Sequence, residues 1–224
     1  MIGIVDITTI GSTIFQKKIS ELGGNDYNHI EFAVHSIPFS SYYKCLSTNN
    51  WEEFAELINI SIEKLEMIGA KVIVIPANAP HYAFPLLKIS VKLLNIVEVV
   101  KEYCVERKYK SLLVLGTNQT MFNGLYDKYF LNSGVNMIKP NHTLGNQVHN
   151  LIFNEIIPKK INKQSLENIK AEVNNIEVDC IALACTEFPE VYNQGDFDAD
   201  IIDTTRLFAI KAYEIYEKSL ALPQ

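Results

Sequence analysis

Short runs of apolar, often β-branched residues alternate along the chain with longer segments of helical periodicity. The short runs predict seven strands, over residues 2–7, 30–34, 72–75, 111–115, 135–139, 180–184 and 201–203. The longer segments predict amphipathic helices; within residues 51–68, for example, Phe54, Ile58 and Leu65 belong to one apolar stripe at helical spacing. This alternation is typical of parallel sheets covered by helices on both faces.

The predicted strands fall into two series, one that ends near residue 96 and one that runs from about residue 109 to residue 203. A helix predicted over residues 97–107 separates the series, and a last helix over residues 204–218 could return to the first. We therefore predict an α/β protein with two pseudo-symmetric lobes, each a parallel sheet flanked by helices, with a ligand cleft between them. The first lobe comprises residues 1–97 and 205–224, and the second comprises residues 98–204.

Ligands of open parallel sheets bind where loops leave the carboxyl ends of the strands. The loops that meet this condition are residues 6–12, 35–41, 76–81, 116–120 and 185–189. Three of them, which begin at residues 76, 116 and 185, carry an unusual cluster of polar residues.

The segment LACTEFPEV, residues 183–191, contains the first candidate for chemistry. A predicted strand brings Cys185 to its carboxyl end, and Thr186 and Glu187 are expected to begin a helical turn. The free N–H groups of a helix N-terminus lower the pKa of a thiol from about 8.5 towards neutrality, so that Cys185 could remove or return a proton. The alternative is an inert buried thiol, which we expect for Cys180 on the same strand.

Two other loops offer ligand-binding groups. Asn78, which follows a buried strand, presents a carboxamide beside loop N–H groups that suit a carboxylate, although an ordinary Asn/Pro turn would have the same sequence. Gly116 and Thr117 precede a helix, which predicts that Thr117 caps it with Thr120 three residues on. The same geometry can hold an anion, but capping is the simpler interpretation.

Composition excludes several classes of function. The net charge is −6 without any basic run, which argues against a nucleic-acid partner. No apolar stretch approaches the roughly 20 residues that cross a bilayer, and no signal-peptide pattern is present. The four cysteines form no CxxC pair, so we predict cytosolic thiols and a cytoplasmic protein. The histidines lack metal-ligand spacing, so we expect no metal site.

Three segments, taken in order, resemble motifs of the aspartate/glutamate racemase family. The family patterns are P-C-N-T-x-H, L-G-T-x-x-T-M and G-C-T-E-x-P. Here they read P-A-N-A-P-H at residues 76–81, L-G-T-N-Q-T-M at residues 115–121 and A-C-T-E-F-P at residues 184–189. The N-terminal loop, residues 6–12, lacks the family's glycine-rich G-G-M-G-P-E.

The resemblance implies a racemase that inverts Cα with two cysteines, one as base and one as acid, and needs no pyridoxal phosphate or other cofactor. Cys185 matches the second cysteine. It further implies an amino-acid substrate, aspartate or glutamate, and a homodimer. The residues that it assigns to substrate binding are Asn78, Ala79, Thr117, Thr120, Thr186 and Glu187, with Lys160 (or its neighbours Lys159 and Lys163) for the side-chain carboxylate. A solvated surface turn is the alternative for these lysines.

The first cysteine of the family pattern is Ala77 in this chain, and the following threonine is Ala79. A methyl group neither gives nor takes a proton, so the sequence leaves three hypotheses open. In the first hypothesis the chain is a racemase or a near relative. In the second it is a single-cysteine isomerase or decarboxylase that protonates its substrate from one side. In the third it is a binding protein without turnover. The sequence does not say whether Ala77 is natural or engineered.

Overall fold

The computed structural model describes residues 1–24 and 28–220, with the side chain of residue 220 left out. The chain divides into two compact units. Unit 1 comprises the described residues of Met1–Val99 and Thr205–Gln224, and unit 2 comprises Val100–Thr204.

The strands are β1 (Ile2–Asp6), β2 (Phe32–Ser36), β3 (Val72–Val74), β4 (Lys92–Leu93), β5 (Ser111–Leu115), β6 (Asn136–Ile138), β7 (Cys180–Leu183) and β8 (Asp200–Asp203). The helices are α1 (Thr9–Leu22), α2 (Phe39–Ser47), α3 (Trp51–Met67), α4 (Ile96–Glu106), α5 (Asn118–Phe122), α6 (Leu125–Phe130), α7 (His142–Asn150), α8 (Lys163–Asn174) and α9 (Thr204–Leu220). Two 3₁₀-helices, Ala79–Leu86 and Phe188–Glu190, and a π-helix, Leu151–Ile156, complete the described elements.

Unit 1 contains a parallel sheet in the order β2-β1-β3-β4. All five residues of β1 are buried, as expected for an interior strand covered on both faces. Helix α3 buries Phe54, Ile58 and Leu65 on one stripe, and Asn50 caps it by accepting a hydrogen bond from the Glu53 N–H. Gly3 permits close packing, because a Cβ there would lie 2.7 Å from the Ile73 side chain.

Unit 2 repeats this arrangement with a parallel sheet in the order β6-β5-β7-β8. Its core joins residues of β5 and β7 to the inner faces of α7, the π-helix and α8. The buried residues of this core include Leu113, Ile181, Val148 and Ile169. Apolar β-branched residues on the strands and helical periodicity outside them therefore produce the same layered packing in both units.

The predicted fold class of two parallel sheets flanked by helices is confirmed. Each predicted strand is present within two residues of its predicted bounds, and α3, α4 and α9 match predicted helices to within two residues. Strand β2 begins at Phe32 rather than residue 30, because its pairing starts opposite Ile2. Strand β4 was not predicted, since two residues are too few for a periodic signal. In the described part of the chain, no helix has the length and apolarity that a membrane span requires.

Candidate active site

Cys185 lies two residues after the end of β7, at the carboxyl edge of the unit 2 sheet. The Ala184 N–H donates to the Leu115 carbonyl at 2.7 Å, which fixes the start of the loop against β5. Phe188 is buried in the unit 2 core and anchors the other end of the loop. The other three cysteines are buried, and only Cys185 among the four retains partial exposure. It is therefore the thiol of this chain best able to meet a ligand.

A carboxylate lies beside the Cys185 thiol. Glu187 Oε2 accepts hydrogen bonds from the Cys185 Sγ and from the Thr186 hydroxyl, each at 2.8 Å. Thr186 and Glu187 are themselves buried, so water competes little for these contacts. The Glu187 carboxylate therefore accepts hydrogen bonds from both side chains and holds the thiol proton in place.

The expected lowering of the Cys185 pKa is wrong for this structure. Desolvation first, and the Glu187 charge and hydrogen bond next, raise the pKa of the Cys185 thiol well above its usual value. The backbone N–H groups of Thr186 and Glu187 lower it, but they do not prevail. No α-helix begins here; residues 186 and 187 form a turn before a three-residue 3₁₀-helix, which provides little dipole. Cys185 therefore rests as a protonated thiol.

Glu187→Gln is expected to make Cys185 more reactive towards iodoacetamide at neutral pH. The neutral amide removes the charge that raises the thiol pKa, and the thiolate fraction grows about tenfold for each pKa unit lost. The measurement is the alkylation rate of the two proteins between pH 6 and 10, with peptide mapping to identify the labelled thiol.

Glu190→Gln is the matched control, because Glu190 is exposed at the end of the short 3₁₀-helix that follows Glu187. It should leave the alkylation profile unchanged. A wild-type profile with its midpoint below the reference of about 8.5 would contradict the raised pKa of Cys185.

The loop after β5 lies next to the loop that carries Cys185. Leu115 pairs with Leu183 across the two strands, and a Cβ on Gly116 would lie 3.2 Å from the Ala184 carbonyl oxygen. Glycine thus permits the close approach of the two loop starts. The predicted capping is confirmed, since the Thr117 side chain accepts a hydrogen bond from the Thr120 N–H. The two threonine hydroxyls are 3.2 Å apart, and Thr120 is buried.

The loop after β3 provides buried polar groups in unit 1. Ala77 and Asn78 are buried, and Ala79 begins the 3₁₀-helix Ala79–Leu86 as a half-buried methyl group. His81 is fully buried, with Nε2 positioned to donate to the Ile75 carbonyl at 3.2 Å and no partner for Nδ1. Burial lowers the pKa of His81 to about 4, so its imidazole is neutral at pH 7.

Comparison with known proteins identifies the family. The Asp/Glu/Hydantoin racemase family model matches residues 13–212. The chain belongs to this family.

One curated relative and two solved structures are similar to this chain. The broad specificity amino-acid racemase RacX of Bacillus subtilis is 26% identical over 196 residues, which are 86% of this chain and 84% of that protein. A putative Asp/Glu racemase from Yersinia pestis has a TM-score of 0.87 at 22% identity, covering 96% of this chain and 97% of that one. An aspartate racemase homologue from Pyrococcus horikoshii has a TM-score of 0.82 at 26% identity, covering 96% and 98%. The predicted family resemblance is confirmed.

Two polar side chains and one helix type in this family member were not predicted from its sequence. In unit 2, His149 Nδ1 accepts the Asn118 N–H at 3.3 Å, and desolvation lowers the pKa of His149. The π-helix that follows α7 has no signature in the residue types, although such turns are frequent at functional sites. In unit 1, the side chain of Asp6 at the end of β1 is buried, and its Oδ1 has no hydrogen-bond partner. The only sequence signal for Asp6 was its position in the loop of residues 6–12, at the end of a predicted strand.

The three lysines proposed to meet a side-chain carboxylate lie around the turn between the π-helix and α8. Lys159, Lys160 and Lys163 are all exposed. Lys159 has a positive φ of 56°, and the Lys160 N–H donates to the Glu155 carbonyl at 2.7 Å. Their role in substrate binding stays a prediction. Among the described residues, no three His, Cys, Asp or Glu side chains are grouped to hold a metal ion.

A cavity of about 340 Å³ lies in unit 2 at the opposite edge of the sheet from Cys185. Asn174, Val178, Ile181 and Asp198 are among its lining residues, close to the amino ends of β7 and β8. Because β7 runs from Cys180 to Leu183 before the thiol loop, this cavity is separate from the candidate site.

Proposed function

We propose that the chain is an amino-acid racemase that acts on aspartate or glutamate by proton transfer between Cys185 and Cα, without pyridoxal phosphate. The hydrogen bond from the Cys185 thiol to Glu187, at the carboxyl end of a buried strand, carries this proposal. The family membership and the relative named a broad specificity amino-acid racemase support it.

The environment of Cys185 suits a weakly acidic carbon. A raised thiol pKa makes the thiolate, once formed, a stronger base towards the Cα hydrogen, and it keeps the resting thiol protonated as a donor. Glu187 takes part by holding the thiol proton in its hydrogen bond. Thr186 shares the same carboxylate oxygen and fixes its position.

The other proposed contacts hold the substrate in place. Thr117, Thr120 and Asn78 supply hydroxyl, amide and backbone donors for the α-carboxylate, into which negative charge spreads as the Cα proton leaves. Lys160 is the proposed partner of the side-chain carboxylate. Ala79 contributes only van der Waals contact in place of the threonine of the family pattern.

A second candidate function follows from Ala77. Its methyl group cannot carry a proton, which favours an isomerase or decarboxylase-like enzyme that protonates from one side through Cys185 alone. Such an enzyme would share the geometry of Cys185 and Glu187, but it would not interconvert enantiomers.

The same resemblance extends the proposal to a homodimer in the cytoplasm. Four free cysteines fit a reducing compartment. Sedimentation equilibrium at assay concentrations measures the assembly, and a monomer would contradict this part of the proposal.

Deuterium exchange in D₂O tests the two functions against each other. We expect L- and D-forms of aspartate or glutamate to take up deuterium at Cα with inversion of configuration. The measurement combines mass spectrometry with chiral chromatography. Exchange with retention alone would favour the one-sided enzyme, and the absence of any exchange with either amino acid would contradict both functions.

A further inference from the structure

Asp6 is a buried carboxylate with one oxygen that makes no hydrogen bond in the fold. Its side chain is 7% exposed, and Oδ1 has no hydrogen-bond partner. An unpartnered buried polar group destabilises a fold, so its presence is better explained by a ligand or a reaction than by stability.

The position of Asp6 in the sheet brings it to the loop that contains Ala77. Strands β1 and β3 are parallel neighbours, and Ile4 pairs with Val74 as their last registered pair. Asp6 is two residues beyond that pair on one strand, and Ala77 is three residues beyond it on the other. Both residues therefore leave the carboxyl edge of the unit 1 sheet at adjacent strands, where ligands of parallel sheets bind.

A further hydroxyl group of unit 1, Thr8 Oγ1, is buried without a hydrogen-bond partner two residues after Asp6. The Tyr42 phenol is close enough to Asp6 to sense its charge. Desolvation chiefly raises the pKa of Tyr42, the Ser61 side chain lowers it through a hydrogen bond, and the Asp6 charge raises it, so the phenol stays protonated. A free hydroxyl group and a protonated phenol near a carboxylate are suited to a polar ligand that enters beside it.

Racemisation needs a proton carrier on each face of Cα, and Ala77 cannot be one. We propose that Asp6 is the proton carrier of unit 1, at the edge of the sheet where the family pattern would place a cysteine at position 77. This inference rests on the proposed racemase function.

The proton transfers balance without any other reactant. The Asp6 carboxylate takes the hydrogen from one face of Cα, so that a C–H bond breaks, an O–H bond forms and the electron pair spreads into the substrate α-carboxylate. The Cys185 thiol then gives its proton to the other face, forming the new C–H bond and leaving a thiolate. The opposite enantiomer reacts by the reverse sequence and restores the carboxylate and the thiol.

Asp6→Asn tests the proposal, because the amide has nearly the same shape and cannot carry the proton. We expect it to lower the racemisation rate at least about 100-fold through kcat. Asp6→Glu should retain measurably more inversion than Asp6→Asn, since the carboxyl group remains. Asp127→Asn is the matched control; Asp127 forms an ion pair with Lys139 at the surface, and its loss should leave the rate unchanged.

The double variant Asp6→Asn/Ala77→Cys provides a gain of function. A thiol at position 77 should replace the lost carboxyl group and restore inversion to at least the wild-type rate. Circular dichroism and urea unfolding verify the fold of each protein. If Asp6→Asn does not fold, the pair Asp6→Ser and Asp6→Glu serves in its place, with inversion expected only in the second.

Three results would overturn the role of Asp6. The first is an Asp6→Asn protein that racemises at the wild-type rate, and the second is a double variant that recovers no inversion. The third is an Asp6→Asn protein in which only KM changes, which would make Asp6 a substrate-binding group. Loss of inversion in His81→Gln but not in Asp6→Asn would transfer the role to His81. The proposed function fails separately: no inversion by the wild type, or a Cys185→Ser protein as fast as the wild type, would overturn it and the role of Asp6 together.

Discussion

Replacement of Cys185 by serine is expected to abolish racemisation of aspartate and glutamate. A positioned general acid or base contributes about 10²–10⁴-fold, and a serine hydroxyl is too weak an acid at neutral pH to replace the thiol. The hydrogen bond to Glu187 can persist with serine, so the loss measures proton transfer rather than a disrupted loop. Chiral chromatography of timed reactions from each pure enantiomer gives the rates.

The matched control for this prediction is Cys45→Ser. Cys45 is a buried thiol of α2 that donates to the Ser41 carbonyl, a contact that serine can reproduce. It is not part of the loops at the strand ends, and its replacement should leave racemisation unchanged. A Cys185→Ser protein that is folded and as active as the wild type would remove the thiol from the mechanism.

Ala77→Cys is expected to raise the racemisation rate. A thiolate is more basic than a carboxylate by about 4–5 pKa units, so a thiol here should remove the Cα hydrogen faster than Asp6 does. We expect the gain to lie at the lower end of the 10²–10⁴-fold range, about 100-fold, because Asp6 already carries protons. Relative to Asp6→Asn, where that carrier is missing, the same change should give a larger gain.

Two control variants test whether the faster racemisation requires a proton-carrying side chain at position 77. Ala77→Ser adds a polar atom at the same position without useful acidity, and Ala79→Cys places a thiol two residues away on the half-buried first residue of the 3₁₀-helix. Neither should accelerate inversion. Because Ala77 is buried, the added sulfur can cost about 1–3 kcal/mol of stability, which thermal unfolding detects. A folded Ala77→Cys protein that is no faster on either amino acid would favour the one-sided enzyme.

The alternation of apolar runs and helical stripes in the sequence was sufficient to predict the fold class. Strand β5 was predicted with its observed bounds, because a buried parallel strand is a continuous apolar run between polar residues. The predicted bounds of β2 were two residues too early, because this strand is partly exposed and its register depends on pairing with β1. Position 117 was predicted correctly as a helix cap, since capping involves residues only three apart.

The substrate-binding roles of Asn78, Ala79 and Lys160 and the bounds of the two predicted lobes stay predictions. The sequence motifs were specific enough for the family, which the match over residues 13–212 confirms. They could not specify a substrate, because selectivity depends on side chains brought together from separate loops.

The sequence by itself therefore determined the α/β architecture and the family, and it placed Cys185 just after the carboxyl end of a buried strand. Only the tertiary structure decided the protonation of that thiol: burial and the Glu187 carboxylate raise its pKa, whereas the local pattern had indicated a helix that lowers it. It also decided that the Asp6 carboxylate is buried with an unpartnered oxygen beside the strand that leads to Ala77. Periodicity and capping are local and can be read along the chain, but desolvation and the meeting of strand ends depend on residues distant in sequence.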